Sequence, residues 1–199
     1  MKLLVTGFGP FPGMPDNPSA RLIAAIDAGH VTLPPGCRVA TAVIMTSWGH
    51  AAAQLDRLLR RHEPDFTLHF GVAATARGFR LERSARNCTG ARADADGALP
   101  DDGCICAGAP QRIESAADVA GLAERLEARG ICAEVSDDAG DYLCNMLFFH
   151  ALLKREAGGP PADALFVHVP PPGSQIEGTG LLEGAEIIMR ACAEGRASR

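Results

Sequence analysis

This 199-residue sequence has no basic cluster, no long apolar run and no regular cysteine framework, and each absence removes a class of function. Lys and Arg number 19 against 24 Asp and Glu, leaving a formal net charge of -5. That balance, without a Lys/Arg block, argues against nucleic acid or an anionic membrane as the main partner. No apolar stretch approaches the roughly 20 residues that span a bilayer. Met1-Lys2-Leu3-Leu4-Val5 begins like a signal peptide, but Gly7-Phe8-Gly9-Pro10 interrupts it before an apolar h-region can form, so the expected compartment is the cytoplasm. The seven cysteines (Cys37, Cys88, Cys104, Cys106, Cys132, Cys144 and Cys192) are odd in number and irregularly spaced, and are expected as free thiols. Cys104-Ile105-Cys106 lacks both the spacing and the second ligand pair of a thiolate zinc site. Neither a metal nor an organic cofactor is expected.

Two glycine-bearing segments imitate ligand loops without their chemistry. Gly7-Phe8-Gly9-Pro10-Phe11-Pro12-Gly13 has its third glycine at the wrong spacing for a dinucleotide fingerprint. Pro10 and Pro12 also lack the N–H groups of a phosphate cradle. The two phenylalanines and rigid prolines suit a flat apolar surface for a small ring, the alternative being plain core packing. Asp94-Ala95-Asp96-Gly97 opens like a calcium loop, yet its glycine comes two positions early and the bidentate acid is missing, so it reads as a turn.

What the chain does have is a regular alternation of strand-like and helix-like segments. Strands are expected at Lys2–Thr6, Cys37–Met45, Asp65–Phe70, Cys132–Ser136 and Ala164–His168. Pro18 with Asn17 as cap opens a helix to about Gly29. Ala52, Leu55, Leu58 and Leu59 give Gly49–Arg61 a helical period, and further helices are expected over Ser115–Arg129, over Asp141–Glu156 and from Leu181 to the polar tail. Residues 72–110 read as irregular. Such alternation implies a single α/β domain over residues 1–199, with a mainly parallel sheet covered on both faces.

Two residues stand where such a sheet puts its chemistry. Cys144 falls after the turn residue Gly140, at the start of the helical segment. Unpaired amides in the first turn of a helix favour a thiolate. His168 ends an apolar strand that Pro170, Pro171 and Pro172 break, and ligands bind beyond the carboxyl ends of parallel strands. A histidine there can accept a proton from a nearby thiol. The alternatives are a buried structural cysteine and a core histidine.

Four segments then resemble one family. They are Thr6-Gly7-Phe8-Gly9-Pro10-Phe11 with Asn17-Pro18-Ser19, then Leu81-Glu82-Arg83-Ser84-Ala85-Arg86-Asn87, then Gly140-Asp141-Tyr142-Leu143-Cys144-Asn145, then His168-Val169-Pro170. In this order and at similar spacing they resemble the pyroglutamyl peptidase I family, cysteine peptidases that remove an N-terminal pyroglutamate. The resemblance implies a three-layer α/β/α fold like that of purine phosphorylases, a triad of Cys144, His168 and Glu82, and no cofactor. It implies that Phe8, Phe11, Val72, Arg92, Tyr142 and Leu143 surround the substrate, an N-terminally pyroglutamylated peptide, and that the chain forms a homodimer or homotetramer. Read from the residues alone, Glu82 between Arg80 and Arg83 is equally a surface ion pair, and Asp163, Asp137 and Asp138 read as solvated carboxylates. One departure bears on substrate: where the family has Gly-Gln-Ala-Gly-Gly, this chain has Gly71-Val72-Ala73-Ala74-Thr75, and Val72 offers no polar side chain. A non-catalytic or altered-specificity relative that binds a small ligand on the same fold is the competing reading.

Overall fold

In the computed structural model, residues 1–101, 103–174, 176 and 178–197 are described. In chain order they form β1 (Lys2–Phe8), α1 (Pro18–Asp27), β2 (Arg38–Ile44), α2 (Ala51–His62), β3 (Phe66–Val72), β4 (Phe79–Glu82) and β5 (Ser84–Arg86). These are followed by β6 (Arg112–Glu114), α3 (Val119–Glu127), β7 (Ala133–Ser136), α4 (Leu143–Glu156), β8 (Asp163–Val169) and α5 (Thr179–Ala197). The main sheet has the order β2-β1-β3-β8-β4-β7. Every neighbouring pair in it is parallel except β4 with β8. Among the described residues no helix is long and apolar enough to cross a membrane.

Burial on both faces explains the composition of the central strands. All seven residues of β8, Asp-Ala-Leu-Phe-Val-His-Val, are buried, and β3 is buried through Gly71. A parallel strand covered on two sides has no solvent face, so it reads as a continuous apolar run rather than an alternating one. One face carries Leu3, Val5, Leu68, Phe70, Leu165 and Val167 against the buried stripes of α1, α3 and α5. The other carries Leu4, Phe8, Ala164 and Phe166 against α2 and α4. Each large side chain withdrawn from water there contributes about 1.5–3 kcal/mol relative to exposure.

The helix that begins at Leu143 is buried nearly all round, as its run Leu143, Met146, Leu147, Phe148, Phe149, Ala151, Leu152 requires. Besides the sheet and α2, it meets the small antiparallel pair β5–β6, which caps its outer side. Asn145 joins these pieces: its Oδ1 accepts from the Arg86 amide at 2.8 Å, and its Nδ2 donates to the carbonyls of Arg86 and Cys88 at 2.8 and 3.1 Å.

Several expectations need correction. The stretch 72–110 holds β4 and β5, whose four and three residues are too short to show a period. The third helix starts at Val119, because Asp118 caps it through the Gly121 amide, and not at Ser115. The last helix starts at Thr179 and runs through Ala197, into the polar tail. Asp163 is buried, not solvated. Its carboxylate accepts from the Ala116 amide at 2.9 Å and pairs with Arg155 at 2.8 Å. Asp137 and Asp138 are exposed as expected, paired with Arg83 and Arg86.

Candidate active site

The antiparallel strand β4 brings the first two site residues together. Its register sets Glu82 opposite Phe166 and Arg80 opposite His168. Residues two apart share a face, so the Glu82 side chain reaches diagonally to the imidazole. Glu82 Oε1 lies 2.7 Å from His168 Nδ1. The flanking arginines are engaged elsewhere, Arg80 with Glu134 at 2.6 Å and Arg83 with Asp137 at 2.7 Å. Glu82 is therefore not a surface ion pair: it is fully buried, and its Oε2 has no partner among the described residues.

Cys144 is the second residue of α4, and the N-cap residue Tyr142 makes no side-chain capping bond. The first amides of a helix lack intrahelical acceptors, so the sulfur sits beside free N–H donors at the carboxyl edge of the sheet. Cys144 lies close enough to His168 to act on its ionisation. With Nδ1 held by Glu82, Nε2 is the ring nitrogen left for another partner. Burial alone would lower the His168 pKa, but the charges of Cys144 and Glu82 and the hydrogen bonds to both outweigh it and raise it to about 9. The imidazole thus keeps its proton through neutral pH. His69, on the same face, behaves oppositely: it is fully buried against Phe166 and bonded to Thr6 Oγ1 at 2.7 Å, and burial pushes its pKa down to about 3.

This row opens on a pocket of about 270 Å³ whose lining includes Phe8, Phe11, Val72, Arg92, Tyr142, Leu143 and Cys144. Local sequence explains its walls. Pro12 and Gly13 (φ 85°) form a tight turn in which Phe11 and Met14 exchange backbone hydrogen bonds at 3.2 and 2.8 Å. The Asn17 amide and the Thr46 hydroxyl both donate to the Gly9 carbonyl, at 2.9 and 3.0 Å. Phe8 belongs to the core as well as to the pocket, whereas Phe11 is half-buried. The Arg92 guanidinium lies over the rings of Tyr142 and Phe11, 4.4 and 5.4 Å from their centroids. Asp94 is a turn, as expected, with its Oδ1 accepting from the Asp96 and Ala98 amides. Among the described residues no group of three or more His, Cys, Asp or Glu is arranged to hold a metal.

Gly71 was passed over in the sequence, though it opens the segment in which Val72 was singled out. It lies opposite His168 in the sheet, and a Cβ built on it would stand 2.8 Å from the Cys144 sulfur and 2.8 Å from Phe166 Cζ. Only glycine lets the helix bring the thiol this close to the strands. Gly71→Ala is expected to cost about 1–3 kcal/mol of stability through overpacking, read as a lower urea midpoint, and to reduce kcat by displacing the sulfur. Asn145 was also missed as a support residue; its neighbour Cys144 was the stronger signal.

A thiol, an imidazole and a buried carboxylate in sequence at a sheet edge, beside unpaired amides and an apolar cleft, are the equipment of a cysteine hydrolase. Comparison with known proteins agrees with that class. A family model described as pyroglutamyl peptidase matches residues 1–182. The pyrrolidone-carboxylate peptidase of Pyrococcus furiosus is 34% identical over 171 residues, covering 85% of this chain and 81% of that protein. The pyrrolidone-carboxylate peptidase 1 of Ralstonia nicotianae is 34% identical over 84% of this chain and 77% of its own. In three dimensions, a mutant pyrrolidone carboxyl peptidase of P. furiosus superposes with a TM-score of 0.89 at 30% identity, covering 98% of this chain and 99% of the other. The Thermococcus litoralis enzyme gives 0.89 at 28% identity, covering 100% and 96%. The chain belongs to the pyroglutamyl peptidase family of hydrolases.

Proposed function

We propose that this chain removes pyroglutamate from the N-termini of peptides, with Cys144 as nucleophile, His168 as general acid and base, and Glu82 holding the imidazole. The observation that carries the proposal is the buried Glu82–His168 pair at 2.7 Å, with Cys144 near enough to shift His168 and lining the adjoining pocket. The sulfur attacks the carbonyl between pyroglutamate and the next residue, and the oxyanion is received by amides at the start of α4. The His168 proton goes to the leaving amine, and water, deprotonated by His168, then cleaves the thioester. Phe8, Phe11, Leu143 and Val72 supply flat apolar contact for the lactam ring. Val72 gives the ring no hydrogen bond, which leaves its carbonyl to Arg92 and to backbone groups. We further read the chain as one cytoplasmic domain without a nucleic-acid or membrane partner, with its seven free thiols kept reduced. We expect it to assemble as a homodimer or homotetramer.

Hydrolysis of a pyroglutamyl-arylamide compared with a prolyl-arylamide tests the substrate. The expected result is release from the first only, since the prolyl ring brings a charged amine and no ring carbonyl. Equal turnover of both, or of neither, removes pyroglutamate as the substrate.

A further inference from the structure

Trp48 is the only tryptophan in the chain, and it stands behind the pocket wall, not in it. Its indole Nε1–H donates to the Arg92 carbonyl at 3.0 Å, its backbone N–H donates to Asp94 Oδ2 at 2.8 Å, and its ring meets Tyr142 edge-on at 5.4 Å. The adjoining groups continue the attachment. The Tyr142 hydroxyl donates to the Ala93 carbonyl at 3.0 Å, and the Ala95 amide donates to the Thr46 carbonyl at 2.9 Å. Four successive residues, 92 to 95, are thus tied to the 46–48 loop and to Tyr142. Asp94 is fully buried at the centre of this clasp. Burial would raise its pKa, but the amides of Trp48, Ala98 and Asp96 and the Ser47 hydroxyl lower it, so the carboxylate stays charged.

The clasp has one functional side chain to serve. Among the described residues no carboxylate pairs with the Arg92 guanidinium, which lies over Tyr142 and Phe11 in the pocket that Cys144 also lines. An exposed arginine ordinarily samples many rotamers, and fixing its backbone and stacking its head removes much of that freedom before a ligand arrives. We propose that Trp48 and Asp94 are positioning residues that hold Arg92 over the pocket, so that its guanidinium receives an oxygen acceptor of the bound N-terminal acyl group. They set KM and not kcat. The inference rests on the peptidase reading given above for the identity of the acyl group, but not for the placement of the cation.

The test is a double-mutant cycle of Trp48→Phe with Arg92→Ala. Phenylalanine keeps an aromatic ring beside Tyr142 and removes the indole donor together with one ring of the bicycle. Trp48→Phe is expected to raise KM for a pyroglutamyl-arylamide about three- to tenfold, the range for one lost hydrogen bond, with kcat within about twofold. It is expected to add nothing in the Arg92→Ala background, because the two act through one group. A second readout is independent of the substrate: the ratio of iodoacetate to iodoacetamide alkylation rates at Cys144, followed by mass spectrometry of its peptide. A guanidinium held over the pocket favours the anionic reagent, so the ratio falls in either single variant and no further in the double. A wild type that ignores the arylamide but shows this pattern keeps the clasp and loses the pyroglutamate reading. Equal effects of Trp48→Phe in both backgrounds, or an unchanged alkylation ratio, overturn the clasp whatever the substrate proves to be.

Discussion

Replacing Cys144 by serine is expected to lower kcat for a pyroglutamyl-arylamide by about 10⁴-fold or more, the usual consequence of removing the nucleophile of a triad. A hydroxyl differs from a thiol by one atom, so the pocket and α4 remain intact. What changes is the nucleophile. His168 owes part of its raised pKa to Cys144, and serine does not give that support. The resting enzyme would then lack both a ready nucleophile and a fully protonated acid. Circular dichroism should be unchanged and steady-state kinetics should show the loss; turnover within tenfold of wild type would remove the sulfur from the reaction. The same sulfur is expected to react with iodoacetamide ahead of the other six thiols, of which Cys192 is buried and pushed up to about 12. Alkylation spread evenly over all accessible thiols would count equally against it.

Glu82→Gln is the second large effect, an expected loss of about 10²–10⁴-fold in kcat with little change in KM. Glutamine keeps the volume and one acceptor, but removes the negative charge that favours the imidazolium and permits the opposite amide orientation. The His168 pKa should fall from about 9 back toward the ordinary 6.5. A group whose folded pKa is raised stays protonated in the folded state after the unfolded chain has lost its proton. In the wild type the alkaline limb of kcat/KM therefore falls as pH rises through about 9. In the variant that limb moves to lower pH. The linked stability contribution is complete below pH 6.5 and disappears as pH rises to about 9. Urea midpoints across that window should fall in the wild type and fall less in Glu82→Gln. An alkaline limb that does not move would show that the carboxylate does not act through the imidazole.

Strand and helix locations were legible because their signals are local. The period of Ala52, Leu55 and Leu59, the cap at Asn17 and the apolar run ending at His168 each report the environment of their own segment. The cysteine was legible for the same reason, since a turn at Gly140 (φ 84°) followed by an apolar helix places residue 144 in a first turn regardless of what surrounds it. Glu82 was ambiguous: its four-residue strand carries Arg80 and is followed by Arg83, a composition identical to that of a solvated edge. Only the antiparallel insertion of β4 beside β8 turns that carboxylate inward. The Trp48–Asp94 attachment and the closeness of Gly71 to the sulfur were invisible, because both join segments tens of residues apart.

By itself, then, the chain determined an alternating α/β architecture and a thiol at a helix start, because hydrophobic period, capping and turn chemistry act between residues a few positions apart. The tertiary structure alone decided which charges meet, that Glu82 and His168 are buried together while their arginine neighbours turn outward, and that Arg92 faces the same cavity as Cys144. The reason is that burial and Coulomb interactions depend on distance in space, and sheet order, unlike periodicity, leaves no mark on the local sequence.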